Sequence, residues 1–347
     1  MKKNILDLTF NELKELMLEF GFEKFRMTQL CDWIFKKHVF DFSKMTSFSK
    51  NMQVILSDKF NFFVPQIEEV VKSEKDGSYK FLFKAFDGRL IESILMIAPS
   101  RTTLCVSCMV GCPLKCSFCA TGSEIGFVRK LDAGEIVGQF LAVEKYALEH
   151  KLIERISNIV FMGMGEPFLN LDAVKRAVGN FLDENLFGLS RSKITVSTAG
   201  VGPGIAAFIN KFEVNLAVSL HFPNDKLRSE YMPVNKTFPL TKLVDELQKI
   251  ELGKRDCITI EYIMLAGIND TMEHAKQLVK LLSTVKVKFN LIPYNPTTLI
   301  DAQPSSAKVI NDFALFLKSK SFTVTVRRSH GVDIEGGCGQ FALKKSK

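Results

Sequence analysis

The chain contains the stretch Cys112-Pro-Leu-Lys-Cys116-Ser-Phe-Cys119, in which three cysteines are separated by three and then by two residues. This spacing lets a loop turn three thiolates toward one point. Thiolates are soft ligands that suit iron–sulfur clusters or zinc. An ordinary 4Fe–4S cluster has one cysteine for each iron, so three local cysteines would leave one iron open to a further ligand.

A structural zinc site is the main alternative for this motif, with Cys108 or His221 as the fourth ligand. Zinc sites more often contain two paired Cys-x2-Cys or Cys/His knuckles. The spacing alone therefore favours a cluster and leaves zinc or redox-active cysteines open.

The composition is that of an ordinary globular protein, since 46% of the 347 residues are hydrophobic and 24% are charged. The length suggests about two or three domains. No apolar run approaches the roughly 20 residues that span a membrane. Acidic residues at positions 7 and 12 interrupt any apolar secretory segment. We therefore expect a cytoplasmic protein that does not bind a membrane.

Cysteine content and charge indicate the kind of chemistry. Five of the eight cysteines lie within residues 105–119, and in a cytoplasmic chain this indicates metal or redox chemistry, not a disulfide framework. The net charge of +8 favours a polyanionic partner such as RNA.

Residues 1–64 are expected to form a helical module. Apolar side chains recur at helical spacing over 10–20, and Gly21 ends that run. Further helices are predicted over 28–37 and 50–60. Small helical modules with basic turns often bind nucleic-acid phosphates, and a module that only packs against the core is an equal alternative.

Residues 65–100 change to the alternating period of β-strands. Strands predicted over 79–86 and 90–97 flank Asp87-Gly88, a residue pair typical of a hairpin turn. Glu92 lies in the apolar second strand. The strand pattern alone favours a carboxylate that points to solvent, and a chemical role is the alternative.

Strand and helix signals alternate from residue 102 onward. The strand-like runs are 103–107, 158–162, 193–197, 214–219, 257–264 and 287–292. The helical runs are 132–148, 171–186, 203–211, 240–250, 271–283 and 305–318. Six βα units predict an α/β fold with a parallel sheet and are too few for a closed eight-stranded barrel. We therefore expect a partial (βα)6 barrel over residues 101–326, with its site at the carboxyl ends of the strands.

Polar residues follow four of these strands at the rim where such a site is built. They are Gly165 and Glu166 after the second strand, Ser197 at the end of the third, Ser219 and His221 at the end of the fourth, and Asn295 after the sixth. A carboxylate can pair with an ammonium group, and Ser, His and Asn can bind a ribose or a carboxylate. Each alone is ordinary turn chemistry, but their coincidence at four junctions favours a ligand site.

Residues 327–347 form a C-terminal segment, in which Cys338 stands in a glycine-rich loop. The glycines would let this cysteine reach into a pocket. Arg327 and Arg328 are suited to phosphate contact. Taken alone, Cys338 is more often an incidental cysteine.

Together these motifs resemble the radical S-adenosylmethionine (SAM) adenine methyltransferases of the RlmN/Cfr family. The resemblance runs nearly end to end and includes Arg26 and Gln29, Thr103-Leu-Cys105-Val-Ser, the three-cysteine motif with Ala120-Thr-Gly, Gly163-Met-Gly-Glu-Pro, Ser219-Leu-His and Cys338-Gly-Gln. The Gly-Glu-Pro sequence at 165–167 is similar to the RlmN branch, which methylates carbon 2 of adenine. The Cfr branch methylates carbon 8 of a 23S rRNA adenine and usually has alanine after the glutamate, so carbon 8 methylation is the alternative.

Three positions depart from the usual RlmN pattern. Cys108 stands where serine is common, His330 replaces a frequent arginine, and Glu335-Gly-Gly replaces a more usual Asp-Ala-Ala. These changes leave every reactive residue in place and bear on the range of RNA substrates.

The resemblance implies a role for each site residue. The three motif cysteines would bind one 4Fe–4S cluster, whose open iron chelates SAM. Cys338 would carry the transferred carbon, Cys105 would release the protein from the RNA through a disulfide with Cys338, and Glu92 would be the general base. The residues implied to contact SAM are Gly165, Glu166, Ser197, Ser219, Leu220, His221 and Asn295.

The resemblance also implies the partners of the reaction. They are two SAM molecules per turnover, 23S rRNA and tRNA as substrates, and a reductant protein such as flavodoxin. We expect the enzyme to be a monomer.

Two other functions compete with this interpretation. One is a different radical SAM reaction on the same barrel, such as sulfur insertion or peptide modification, and the Cys105/Cys338 pair and the basic charge argue against it. The other is a zinc-dependent RNA-binding protein without enzymatic activity. Purification without oxygen separates them, because a cluster protein is brown and holds about four irons, whereas a zinc protein is colourless.

Overall fold

The computed structural model describes residues 2–327 and 329–343, so Arg328 lies outside the described residues. In the described part of the chain the strands are β1 (Lys3–Asn4), β2 (Phe60–Asn61), β3 (Gln66–Lys72), β4 (Tyr79–Lys84), β5 (Leu90–Ala98), β6 (Arg101–Cys105), β7 (Met109–Gly111), β8 (Phe127–Lys130), β9 (Asn158–Phe161), β10 (Ile194–Thr198), β11 (Asn215–Ser219), β12 (Ile258–Met264), β13 (Val287–Pro293) and β14 (Thr323–Val326).

The α-helices of the same residues are α1 (Phe10–Glu19), α2 (Lys24–Cys31), α3 (Lys50–Lys59), α4 (Ala133–Glu149), α5 (Leu171–Leu182), α6 (Ile205–Phe212), α7 (Asp225–Tyr231), α8 (Leu240–Gln248), α9 (Met272–Leu281) and α10 (Ala307–Ser319). None of these described helices combines the length and the apolar character that a membrane crossing requires.

The N-terminal module is built from α1, α2 and α3. Helix α1 begins after Thr9, whose side chain makes a reciprocal capping box with Glu12. Helix α2 begins at Lys24, earlier than the predicted residue 28, and continues as a π-helical turn to Lys36. Its N-cap residue, Glu23, makes no side-chain capping hydrogen bond. The start of α2 is therefore not marked by a capping signal in the sequence.

Polar contacts set the position of this module on the rest of the protein. The Asp7 carboxylate accepts a hydrogen bond of 2.7 Å from the Gly134 N–H at the start of α4, where backbone N–H groups have no partner within the helix. A Cβ at position 134 would clash with Asn4. Arg176 on α5 pairs with Glu12 at 2.6 Å. The module is thus docked on α4 and α5.

One ten-stranded sheet runs through the described residues in the order β14-β13-β12-β11-β10-β9-β6-β5-β4-β3. Strands β6 and β9 to β14 pair in parallel. This confirms the six predicted βα units, and β14 adds a further parallel strand. Helix α7 is absent from the sequence prediction because its charged sequence, Asp-Lys-Leu-Arg-Ser-Glu-Tyr, has no apolar period.

The predicted hairpin is confirmed as β4 and β5, but it is continuous with the barrel sheet. Strand β3 pairs with β4, and β5 pairs antiparallel with β6. The prediction that Glu92 points to solvent is wrong, because its side chain is fully buried. Both faces of β5 are covered, since residues 91–95 are all buried, and long-range packing of this kind leaves no signal in the local strand pattern.

The core lies between the sheet and its covering helices. Outward-facing strand residues such as Val196, Ile260 and Phe289 are fully buried. Because side chains alternate along a strand, the residues next to them face the interior of the barrel.

Candidate active site

The cluster loop, residues 112–119, follows β7 and is held by its own backbone. The Cys112 N–H donates to the Gly126 carbonyl at 2.9 Å, and the Cys119 N–H donates to the Cys116 carbonyl at 3.0 Å. Gly111 has a φ of +74°, and a Cβ there would clash with the Gly126 carbonyl. Only glycine therefore allows the chain to enter the loop in this way.

The cluster loop opens into a cavity at the carboxyl ends of the strands, which we call the rim cavity. It is lined by Cys112, Cys116, Cys119, Gly165, Glu166, Ser197, Ser219, His221, Asn295 and Cys338, with further residues of the same strand ends. Leu220 is fully buried, and its carbonyl accepts a hydrogen bond of 3.2 Å from Arg228 Nε. Of the predicted rim residues, Leu220 is the one outside the lining described for this cavity.

Glu166 is fixed between the ends of two strands. Its Oε2 accepts a hydrogen bond of 2.8 Å from the Ala199 N–H, and its Oε1 accepts one of 3.1 Å from the Phe168 N–H. Burial raises the pKa of Glu166 to about 7, although these hydrogen bonds lower it. Gly165 has a φ of +102°, and a Cβ there would lie 2.6 Å from the Met109 side chain. A carboxylate placed in this way can pair with the ammonium group of a ligand.

His221 is held in one orientation and one protonation state. Its Nδ1 accepts a hydrogen bond of 3.2 Å from the Ile263 N–H, and its carbonyl accepts one of 2.8 Å from Asn269. Burial lowers the pKa of His221 to about 3, and the charge of Arg228 lowers it further. The imidazole is therefore neutral, which leaves Nε2–H as its donor.

The Cys338 loop, residues 336–341, lies against the cluster loop. The Gly339 carbonyl accepts a hydrogen bond of 2.8 Å from the Ala120 N–H. The Phe341 carbonyl accepts one of 2.9 Å from the Thr121 hydroxyl. The side chain of Cys338 is exposed and lines the rim cavity. Tertiary folding thus brings a cysteine from the end of the chain to the motif cysteines.

A second cavity, which we call the thiol cavity, contains both Cys105 and Cys338. It shares Cys119, Met162 and Cys338 with the rim cavity. All eight cysteines lie in the described part of the chain and are free. Burial raises the pKa of Cys105 to about 12. Cys338 therefore borders both cavities, and Cys105 faces it as a protonated thiol.

Comparisons with known proteins decide the family. Residues 3–61 match a family described as ribosomal RNA large subunit methyltransferase N-terminal domain, and residues 106–282 match the radical SAM superfamily. The chain is 41% identical over 343 residues to the dual-specificity RNA methyltransferase RlmN of Buchnera aphidicola subsp. Schizaphis graminum, which covers 98% of this chain and 93% of the relative. The chain belongs to the RlmN family of radical SAM methyltransferases.

Two further comparisons agree. The dual-specificity RNA methyltransferase RlmN of Oleidesulfovibrio alaskensis is 42% identical over 343 residues, which are 97% of this chain and 95% of the relative. The crystal structure of a radical SAM methyltransferase from Sphaerobacter thermophilus is 37% identical, has a TM-score of 0.90 and covers 99% of this chain and 100% of that chain. The predicted resemblance and fold are confirmed. As a radical SAM enzyme, the chain uses a 4Fe–4S cluster and SAM.

The residues of this RlmN-family site fit the cluster. Burial raises the pKa of Cys112 to about 12 and that of Cys116 well above its ordinary value, so these thiols are uncharged until iron displaces their protons. Within residues 2–327 and 329–343, no three His, Cys, Asp or Glu side chains are arranged to hold a metal ion. Cys112, Cys116 and Cys119 all line the rim cavity, and three thiols can bind three irons of a cluster and leave the fourth open.

Glu92 lies one strand from Cys105, at the contact between β5 and the C-terminal segment. Its Oε1 is 3.3 Å from Lys80 Nζ, and its Oε2 accepts a hydrogen bond of 3.1 Å from the Leu343 N–H. Burial raises the pKa of Glu92, while the Lys80 ammonium lowers it. Among the described residues that line the two cavities, Glu92 is absent; strand β5 instead reaches the thiol cavity through Ile94, whose backbone pairs with Cys105.

Arg228 is a residue of the RlmN-family site that sequence reasoning missed. It is fully buried, and its guanidinium donates to the carbonyls of Leu220 at 3.2 Å and Ala199 at 2.5 Å and to Asn235 Oδ1 at 2.8 Å. It thereby joins the ends of β10 and β11, which carry Ser197 and Ser219. Its surroundings in the sequence are charged, so no local pattern marks it as buried.

Proposed function

We propose that this enzyme methylates carbon 2 of adenine in 23S rRNA and in tRNA, through a methyl group carried on Cys338. The relatives named dual-specificity RNA methyltransferases support the RNA substrates. The observation that carries the proposal is the position of Cys338, which borders both the rim cavity and the thiol cavity with Cys105. The Gly-Glu-Pro sequence at 165–167 favours carbon 2 over carbon 8.

Cys338 is needed because carbon 2 of adenine cannot take the methyl group of SAM directly. That carbon is electron-poor and carries a non-acidic hydrogen. A thiolate is a sufficient nucleophile: the Cys338 sulfur forms a bond to the methyl carbon, the sulfonium–methyl bond breaks, and S-adenosylhomocysteine leaves. The exposed side chain and the glycines at 336, 337 and 339 would let the sulfur reach a SAM molecule in the rim cavity.

The rim cavity is the proposed site of the cluster and of SAM. The proposed cluster ligands are Cys112, Cys116 and Cys119, and the proposed SAM contacts are Gly165, Glu166, Ser197, Ser219, Leu220, His221 and Asn295. Glu166 would pair with the SAM ammonium, and the neutral His221 would donate through Nε2–H. When bound, the cluster and a second SAM supply the one-electron chemistry that activates the methyl group on Cys338.

Glu92 and Cys105 complete the reaction once the carried carbon is joined to adenine. Glu92 accepts the proton that leaves carbon 2, after its hydrogen bond to Leu343 opens. The unpaired electron that remains on the ring would pass to the cluster, when bound. The Cys105 thiol, which burial keeps protonated, then gives up its proton as its sulfur attacks the Cys338 sulfur, so that a disulfide forms and the carbon–sulfur bond breaks. The electron pair of that bond passes to the carbon, which takes up this proton and becomes the methyl group. A cellular thiol then reduces the disulfide.

The proposal divides the chain into four parts. Residues 1–64 form an accessory domain that binds RNA, which the family match over 3–61 supports. Residues 65–100 carry Glu92, residues 101–326 form the barrel, and residues 327–347 carry Cys338. The enzyme acts as a cytoplasmic monomer that needs no membrane, and a protein such as flavodoxin supplies electrons to the cluster.

Two measurements test the proposed function. Mass mapping of RNA from cells with and without this gene should find 2-methyladenine in 23S rRNA and tRNA only when the gene is present; 8-methyladenine would support the Cfr-type alternative. In vitro, SAM with a trideuterated methyl group should give an RNA methyl group with two deuterium atoms. Retention of all three would exclude a carbon that passes through Cys338 and is activated there.

A further inference from the structure

A third cavity, which we call the barrel channel, runs through the interior of the barrel from the amino-terminal ends of the strands. Its volume is about 550 Å³, within the range of about 300–1,000 Å³ that small-ligand sites occupy. Arg327 and Met162 line this channel and also line the rim cavity and the thiol cavity. The three cavities therefore meet at these two side chains, next to Cys338.

The lining of the barrel channel is polar, unlike the interior of a closed barrel. Closed (βα)8 barrels fill this space with layers of branched apolar side chains. Here six of the seven parallel strands present polar residues, among them Thr103, Asn158, Thr195, Thr259, Lys288 and Thr325. Such a lining offers hydrogen bonds to a ligand in the channel.

The middle of the channel contains an ordered hydrogen-bonded chain. Asn290 Nδ2 donates to both oxygens of Glu261, at 3.1 and 2.9 Å. The Thr325 hydroxyl donates to Asn290 Oδ1 at 2.9 Å. These side chains are therefore set in position around a channel of ligand size and do not fill it.

The opposite end of the barrel is already occupied by the machinery of the reaction. The Cys338 loop is hydrogen-bonded to Ala120 and Thr121, which directly follow the cluster loop. The rim cavity between them is the proposed place of the cluster and SAM. A target base therefore needs another path to Cys338, and a base that has left its stack can enter a deep pocket as a single nucleotide.

Basic side chains stand at both ends of the channel, on either side of Glu261, where they can contact a nucleic acid. Arg101 at the outer mouth is exposed, and Lys288 is half-buried. Neither of them takes part in a salt bridge among the described residues. At the inner end, the one side-chain hydrogen bond described for Arg327 is a contact of 3.8 Å from Nη1 to Met162 Sδ. Its remaining guanidinium donors are available to a ligand.

We propose that the barrel channel is the path by which the target adenosine reaches Cys338, with Arg327 as the inner residue that hydrogen-bonds the nucleotide. Arg101 and Lys288 contact the flanking RNA phosphates at the mouth. This inference rests on the proposed function. It adds the face of the barrel that RNA approaches and a substrate-binding residue.

The test measures two partial reactions of the reconstituted holoenzyme. The first is methylation of Cys338 by SAM without RNA, read by mass spectrometry. The second is methylation of an RNA substrate, with its KM. Ala217 lies in the channel between Ser197 and Thr259, so Ala217→Phe narrows the channel at mid-height. We expect Ala217→Phe to retain methylation of Cys338 and to lose at least about tenfold in RNA methylation, equivalent to about 1.4 kcal/mol.

Variants that remove a positive charge test the proposed contacts between the channel and the RNA. Lys288→Ala should raise the KM for RNA and reduce the slope of log KM against log salt by about one, as expected for one lost phosphate contact. Lys280→Ala removes an exposed lysine on the outside of α9 and should change neither quantity. Arg327→Met should raise the KM for RNA at every salt concentration.

Each remaining outcome decides the inference. If Ala217→Phe methylates RNA at the wild-type rate, the proposed path through the channel is refuted. It is also refuted if Lys288→Ala and Lys280→Ala have the same KM for RNA and the same salt dependence. If Ala217→Phe fails to methylate Cys338, its fold is damaged, and Thr325→Trp, at an exposed position of the same channel lining, replaces it with the same criteria. A wild-type enzyme that methylates neither Cys338 nor RNA refutes the proposed function itself, whatever the variants do.

Discussion

The cluster loop and the Cys338 loop face each other but are built in different ways. The cluster loop is fixed by backbone hydrogen bonds from Cys112 to Gly126, from Ser117 to Tyr231 and from Cys119 to Cys116, and Cys112 is buried. The Cys338 loop is rich in glycine, leaves its cysteine exposed, and is held by single bonds to Ala120, Thr121 and Asn295. We propose that this difference serves two roles: ligands of a cluster keep one position, whereas a thiol that carries carbon from SAM to RNA has to move.

The largest expected effect is on iron content, which should be lost in variants of the cluster loop and kept in a variant of the Cys338 loop. Replacing Cys112, Cys116 or Cys119 by alanine should abolish cluster binding, because each ligand serves a different iron. Cys338→Ala should keep the iron and the brown colour but lose RNA methylation completely. Cys257→Ala, outside both loops, is the matched control and should keep both. Loss of iron in a Cys108→Ala enzyme would show that the ligands are misassigned.

The next effect concerns release of the RNA. Cys105→Ala should methylate Cys338 and join it to adenine, but no other group can attack the sulfur, so turnover stops. The enzyme should accumulate as an adduct with RNA, visible as a nuclease-sensitive shift on a denaturing gel. The double variant lacking Cys338 should show no shift. A buried cysteine without a chemical role would cost only about 1 kcal/mol of stability, so free turnover of Cys105→Ala refutes its resolving role.

Arg228, like the cluster loop, belongs to the fixed part of the site, because it joins two strand ends. Arg228→Met would leave the carbonyls of Ala199 and Leu220 without a buried donor, so we expect a loss of about 3 kcal/mol in the free energy of unfolding. Thermal unfolding by circular dichroism measures it. The control is Arg191→Met, which removes an exposed arginine paired with Glu213 and should change stability by at most about 0.5 kcal/mol. Equal melting temperatures for the two variants would contradict the bridging role.

Lys80 and Glu92 connect the barrel sheet to the C-terminal segment. Glu92 pairs with Lys80 and also accepts a hydrogen bond from the Leu343 N–H. Burial raises the pKa of Glu92 and Lys80 lowers it, so Lys80→Met should raise it further. The base is the ionised form, so the acid limb of the single-turnover pH–rate profile should move to higher pH. Lys80→Arg should restore the limb, and Lys84→Met, an exposed lysine on the same strand, should not move it. A limb that moves to lower pH would contradict the assignment of Glu92.

The smallest expected effect concerns the hydrogen bond from Thr121 to Phe341, which links the Cys338 loop to the residues that follow the cluster loop. Thr121→Val removes the hydrogen bond to the Phe341 carbonyl, which is worth about 1 kcal/mol. We expect methylation of Cys338 to slow by a few-fold and iron content to stay the same. Quench-flow mass spectrometry of Cys338 methylation measures the rate. A loss of iron would mean that the Cys338 loop supports the cluster loop as well as touching it.

Much of the fold could be predicted because its signals are local. Strand-like runs predicted six barrel strands, and helical runs predicted the six helices between and after them, to within a few residues at most boundaries. The start of α2 was misplaced because Glu23 makes no capping bond, and α7 has no apolar stripe. Both errors lie where local pattern and tertiary packing disagree.

The sequence by itself determined the elements whose chemistry is local. The spacing of Cys112, Cys116 and Cys119 within eight residues determines that one loop carries three thiols, and the polar residues at the strand ends face one rim because parallel strands end together. Tertiary structure alone decided which distant groups meet. The burial of Glu92 beside Lys80, the bridge of Arg228 between two strand ends, and the position of Arg327 where three cavities join all depend on contacts between elements far apart in the chain. Such contacts are set by the packing of whole elements, and single residues carry no local pattern that reports them.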